Sequence, residues 1–298
     1  MERGRSSRAD GQYPFGMAAV APDRPVLRAG SAEVEVSAAD GGRISRLVVD
    51  GWDVLVREAG PAIGWGCYPM IPWAGRLRDA TLRWRDGTWT FPATKGPHAI
   101  HGTLLYQPWR VIGAGSGGRE VLLSADLVEP WPFGGRAVQR LALEADSLTS
   151  TIEVHATREA MPVIVGWHPW FLRTLRRSDG KASSGVELVF DAPAMLVADP
   201  PGIPTGRRIP PPPGPWDDTF EGLVADPIVR WPGALEIQVR SAEATHWVVY
   251  TGEPTGVCVE PQTGPPNGLN GGPLGEPRVV EPGEPLIATM SWEWRSPT

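Results

Sequence analysis

The chain of 298 residues carries 28 Lys+Arg against 34 Asp+Glu, a formal charge of −6, together with 36 Gly, 33 Pro and 14 Trp. Gly and Pro at this density interrupt a chain every few residues, which excludes long helices, bundles and coiled coils. With 41% hydrophobic residues the chain still has a sizeable core to bury, and its mild acidic excess excludes a nucleic-acid or anionic-membrane footprint.

Residues 1–25, rich in Arg, Gly and Ser, read as a flexible leader with Met17 as an alternative start. Their apolar patch at 15–21 is too short for a signal-peptide core, and no run anywhere approaches the ~20 apolar residues that span a bilayer. A cytoplasmic location is therefore expected, with Cys67 and Cys258 as free thiols. Short alternating or β-branched stretches follow at 33–37, 43–49, 81–85, 88–91, 120–124, 137–144 and 148–156. The habit continues at 186–190, 235–240, 246–251 and 286–294. Asp86-Gly87, between Trp84 and Trp89, is expected as the two-residue turn of a hairpin. The Pro-rich stretch 199–216, with Pro210-Pro-Pro-Pro213, is expected as a stiff loop, since polyproline holds an extended form without hydrogen bonds. Regularly spaced short strands without helical periodicity predict an all-β sandwich or barrel, formed as a single domain over 26–298.

Four segments set reactive side chains between Gly and Pro, where a β scaffold presents its chemistry. Gly66-Cys-Tyr-Pro-Met-Ile-Pro-Trp-Ala-Gly-Arg76 is a stiff path that ends on an arginine. Pro97-His-Ala-Ile-His-Gly102 places His98 and His101 three apart, but two ligands fall short of the three a catalytic zinc takes, so no metal is assigned. Val163-Ile-Val-Gly-Trp-His-Pro-Trp-Phe171 delivers His168 between two tryptophans. Histidine is the side chain whose ordinary pKa permits proton exchange near neutrality. In Gly256-Val-Cys-Val-Glu-Pro-Gln-Thr263, Glu260 is expected to end a strand, with Pro fixing the turn after it. Partial burial there suits a carboxylate to act as a base.

Taken in order, the segments 66–76, 99–102, 166–171, 216–220 and 259–263 resemble the aldose 1-epimerases, or galactose mutarotases, over nearly the whole chain. The resemblance implies a galactose mutarotase-like β-supersandwich with a sugar cleft on one curved sheet. It implies His168 and Glu260 as the catalytic pair and Arg76, His101 and Asp217 as sugar-positioning residues; Gln262 and Trp170 belong to the same motifs as substrate contacts. Gly75, Val248 and Trp170 stand where the family commonly has Asn, Gln and Tyr, differences that bear on sugar choice and leave the acid/base pair intact. The expected reaction interconverts α and β anomers of a hexose without a cofactor, with Glu260 as base and protonated His168 as acid. Trp73 or Trp170 is expected to pack on the sugar's apolar face. A sugar is the only partner implied, and nothing signals an oligomeric state. Rival readings are a sugar-binding protein without catalysis, a metal enzyme on His98 and His101, and a glycosidase pairing Glu260 with Asp217. A hexose-6-phosphate epimerase would draw on Arg76, Arg78, Arg207 and Arg208.

Overall fold

The computed structural model describes residues 24–58 and 60–296; the expected leader lies outside them apart from Arg24 and Pro25. Among the described residues there are 26 strands and five 3-10 turns of three residues each. No helix among the described residues is long and apolar enough to cross a membrane. A twelve-stranded and an eight-stranded antiparallel sheet dominate. These are the large antiparallel sheets that the sequence predicts.

Several strands of the eight-stranded sheet are amphipathic. Along Ser147–His155 every second residue is buried, as it is along Leu235–Arg240 and along Leu286–Arg295. Side chains alternate across a strand, so such a sheet presents one face to the core and the other to water. The larger sheet differs at its centre. Cys67–Met70, Gly166–Pro169 and Gly256–Gln262 are buried at every position, because one face meets the smaller sheet while loops wall the other. Cys67–Met70 and Gly166–Pro169 pair with each other, and they link Arg43–Val49 to Gly256–Gln262.

Tryptophans fasten the two sheets together. All fourteen except Trp84, Trp89 and Trp216 are buried. Trp167 Nε1 donates to Ser150 Oγ of the smaller sheet at 2.9 Å, and Trp231 Nε1 of that sheet donates to the Leu172 carbonyl at 2.9 Å. Phe171 packs against Trp292 between them, with ring centroids 5.2 Å apart.

Three local expectations need correction. The hairpin Thr81–Trp84 to Gly87–Thr90 turns on Arg85-Asp86, because Gly87 already pairs with Trp84. Gly87 is needed for another reason: the Trp89 ring lies across it, 1.9 Å from where a Cβ would stand. Within the Pro-rich stretch, Pro204–Ile209 is an edge strand pairing with Ala194–Ala198, the place in a sheet where a missing N–H is tolerated. Glu260 does not end its strand. Pro261 lies within Gly256–Gln262, opposite Trp247.

The intersheet bond sets an expected stability change. Ser150→Ala leaves the buried Trp167 N–H unpaired and is expected to lower the unfolding free energy by about 1–3 kcal/mol. Urea denaturation checks this; an unchanged midpoint would show that the bond does not fasten the sheets.

Candidate active site

The twelve-stranded sheet carries a cleft of about 480 Å³, within the roughly 300–1,000 Å³ usual for small-ligand sites. Strand register explains which residues reach it. Cys258, Glu260 and Gln262 alternate along Gly256–Gln262 and so share one face, from which Glu260 and Gln262 line the cleft. Directly opposite Glu260 stands Val248, and opposite Val248 stands Thr219; opposite Cys258 stands Tyr250, and opposite Tyr250 stands Asp217. On the other flank Gly166 pairs with Gln262, which brings His168, two residues on, beside Glu260.

The centre of the cleft floor is a contact between two buried titratable groups. His168 Nε2 lies 3.2 Å from Glu260 Oε1, with the side chains 7% and 2% exposed. Burial pushes the Glu260 carboxyl well above its ordinary range, with the Asp217 charge adding to the effect. Burial likewise pulls His168 down to about 3. Both shifts favour neutral forms. A protonated Glu260 beside a neutral His168 holds the same number of protons as the ion pair, so the two states differ only by transfer across the contact.

Rings hold the imidazole. Tyr68 stacks on His168 at 4.8 Å and Trp170 at 5.3 Å, while His101 meets it edge-on at 4.9 Å. The Tyr68 hydroxyl and Trp170 Nε1 both donate to the Ile63 carbonyl, at 3.0 and 2.8 Å. The loop bearing Ile63 is clamped in turn by the buried Arg43. Its Nη1 donates to the Ala62 and Trp65 carbonyls at 2.8 and 3.0 Å, and its guanidinium lies 3.9 Å from the Trp65 ring centroid. Arg43 opens a strand and, in the sequence, resembles any surface arginine.

His101 has φ +61, a backbone conformation that a bulky residue rarely adopts. The next residue, Gly102, passes so close to Ile71 that a Cβ would stand 1.9 Å from its carbonyl oxygen. Burial, with the nearby His168 and Arg76 charges, pulls the His101 pKa well below its ordinary value, so His101 is a neutral hydrogen-bonding group. Its Nδ1 and that of His168 have no protein partner among the described residues.

Arg76 and Asp217 face each other at the rim, with Nη2 3.6 Å from Oδ2. Gly202 packs against the guanidinium. Gln262 Nε2 donates to Glu260 Oε2 at 3.3 Å. The structure therefore brings His168, Glu260, Arg76, His101, Asp217, Trp170 and Gln262 to one cleft. It does not bring Trp73 there, since that ring packs on Phe91 and Trp131 in the core. His98 also turns away: its Nδ1 accepts the Asp79 backbone N–H at 3.0 Å, and it does not join His101 in a ligand set. Both cysteines are free and buried. Tyr68, Arg43 and the 61–65 loop are the parts that sequence reasoning missed.

Two large antiparallel sheets thus carry a cleft over a buried carboxylate–imidazole pair. The sequence model of the family described as aldose 1-epimerase matches residues 26–292, and the chain belongs to that family. No curated protein gives a match. Among solved structures, a galactose mutarotase-like protein from Clostridium acetobutylicum is 17% identical with a TM-score of 0.79, covering 91% of this chain and 95% of that one. The GalM/aldose epimerase homologue from C. elegans is 12% identical with a TM-score of 0.74, covering 92% and 99%. Galactose 1-epimerase from Lactobacillus acidophilus NCFM is 15% identical with a TM-score of 0.72, covering 95% and 98%. These likenesses are of fold, which is galactose mutarotase-like.

Removing the Arg43 clamp leaves three carbonyls, those of Asp40, Ala62 and Trp65, without this donor. Arg43→Met is expected to cost on the order of 2–6 kcal/mol, and Arg43→Lys recovers only part, because one ammonium lacks the guanidinium's fork of donors. Denaturant titration checks this; a loss below about 0.5 kcal/mol, the scale of ordinary surface changes, would show that the clamp is dispensable.

Proposed function

We propose that this protein is an aldose 1-epimerase that interconverts the α and β anomers of a neutral aldose, with Glu260 as base and His168 as acid. The observation that carries the reading is the 3.2 Å contact between His168 and Glu260 on the floor of the cleft.

Anomer exchange requires a proton to leave the C1 hydroxyl and another to reach the ring oxygen. Both oxygens are bonded to C1, so a base and an acid that are near neighbours can engage the two together. Glu260 as carboxylate takes the O1 proton while His168 as imidazolium donates to the ring oxygen. The C1–ring-oxygen bond breaks and an open aldehyde forms. Rotation about C1–C2 and the reverse transfers close the ring on the other face. After opening, Glu260 is protonated and His168 neutral, the combination that burial favours in the free protein. The pair thus carries the same proton count throughout and needs none from solvent during turnover. Neutral His101, together with Arg76, Asp217 and Gln262, supplies hydrogen bonds to hydroxyls, and Trp170 offers an apolar face.

A phosphosugar fits the cleft less well. Arg78 is paired with Asp199 at 2.6 Å, and Arg208 is paired with Glu221 through two nitrogens at 2.6 and 3.0 Å. The cleft itself is lined by Asp217, Asp218 and Glu253 as well as Arg76 and Lys95. Glucose is expected to be turned over at least tenfold faster than glucose 6-phosphate, since carboxylates at the rim repel a dianion.

Polarimetry with the spontaneous rate subtracted tests the roles. Glu260→Gln and His168→Asn should each lower kcat/KM by roughly 10²–10⁴; normal rates in both would overturn the assignment. The same assay fixes the sign of the pH dependence. As pH falls toward about 3, the low-lying His168 value, a second proton joins the pair and the base is lost. As pH rises past the raised Glu260 value, the shared proton leaves and the acid is lost. A broad plateau with limbs on both sides is expected, and a single rising limb near 6.5, the ordinary histidine value, would contradict the shared-proton pair.

A further inference from the structure

Cys258 is absent from the chemistry above, yet it stands two residues before Glu260 on the same face of the same strand. The ligand atoms of His168, Cys258 and Glu260 lie within 4.8 Å of one another, and all three residues are buried. Nitrogen, sulfur and oxygen donors in one cluster suit a borderline-soft ion; Ca²⁺ and Mg²⁺ call for six or more oxygens. Bonds of 2.0–2.3 Å in a tetrahedral site set ligand atoms roughly 3.3–3.7 Å apart. The His168–Glu260 contact is already near that spacing, and the widest gap closes by a movement of about 1 Å. The imidazole is packed between Tyr68 and Trp170, so the closing movement falls to the Cys258 and Glu260 side chains.

We propose that the cleft floor is a binding site for a thiophilic divalent cation of the Zn²⁺ type, held by His168, Cys258 and Glu260 with a fourth position open to the cleft. Binding forms the zinc–sulfur bond as the Cys258 S–H bond breaks, and the zinc–oxygen bond as the Glu260 O–H bond breaks, while neutral His168 donates its nitrogen lone pair. Both protons pass to solvent, and nothing is oxidised or reduced. The cation then occupies the carboxylate and imidazole lone pairs that would otherwise exchange protons with the sugar. Cation occupancy and turnover therefore exclude each other, a consequence that rests on the epimerase reading; the binding site does not.

Untagged protein titrated with Co²⁺, as a coloured stand-in for Zn²⁺, should develop a thiolate-to-cobalt charge-transfer band that saturates at one equivalent and disappears on adding Zn²⁺. Cys67→Ser should keep the band. Cys258→Ser should lose it and bind Zn²⁺ at least about tenfold more weakly, with metal-free sugar turnover within about twofold of wild type. Zn²⁺ should inhibit the wild type at concentrations that leave Cys258→Ser active. Absence of the band in wild type, or an equal band in Cys258→Ser, would overturn the proposal. If Cys258→Ser does not fold, Cys67→Ser decides: a retained band assigns the thiolate to Cys258, and a lost band overturns it. A band without sugar turnover would sink the epimerase reading alone; turnover without a band would sink the metal site alone.

Discussion

Everything in the cleft depends on a carboxyl and an imidazole held 3.2 Å apart out of water. Two such groups are costly to bury charged, and either alone would be driven neutral by desolvation. Side by side, moving one proton between them changes the charge on each without changing the total. A reaction that takes a proton from one oxygen and delivers one to another on the same carbon needs a pair of this kind. In the proposed reaction, sugar hydroxyls entering the cleft would stabilise the charged combination, while burial favours the neutral one.

The fold serves this contact in two ways. The central strands of the larger sheet are buried on both faces, so Glu260 and His168 rest on a backbone that cannot easily move. The imidazole is then gripped between Tyr68 and Trp170, which share the Ile63 carbonyl as acceptor, and Arg43 holds the loop that presents that carbonyl. A buried arginine is expensive, and here burial lowers its pKa despite nearby Asp40. Its contribution is to tie the Asp40 carbonyl to those of Ala62 and Trp65 with one rigid fork, which no apolar side chain can do. The strained backbone of His101 belongs to the same scheme, since its left-handed conformation turns the ring edge-on to His168.

Legibility in the sequence follows from which faces are wet. Strands such as Ser147–His155 and Leu235–Arg240 announce themselves by alternation, because only one side of each is buried. Cys67–Met70 and Gly256–Gln262 carry no such period, being buried throughout, and Pro261 inside the latter disguises it as a strand end. The site residues were visible as motifs between Gly and Pro. Their convergence came only through the family resemblance, since spacing along the chain does not show Gly166 pairing with Gln262 across 96 residues. Spacing alone could not separate His101, which lines the cleft, from His98, which braces a turn through Asp79. Arg43 and Tyr68 left no signal, because clamps built from buried hydrogen bonds depend on tertiary neighbours.

A crystal structure with a non-reacting aldose analogue in the cleft tests the shared-proton pair most directly. The predicted result has Glu260 within hydrogen-bond distance of the oxygen on C1 and His168 within the same distance of the ring oxygen, about 2.6–3.2 Å in each case. A sugar bound at the Arg76–Asp217 rim, with the His168–Glu260 contact unbroken beneath it and neither group reaching C1 or the ring oxygen, would contradict it.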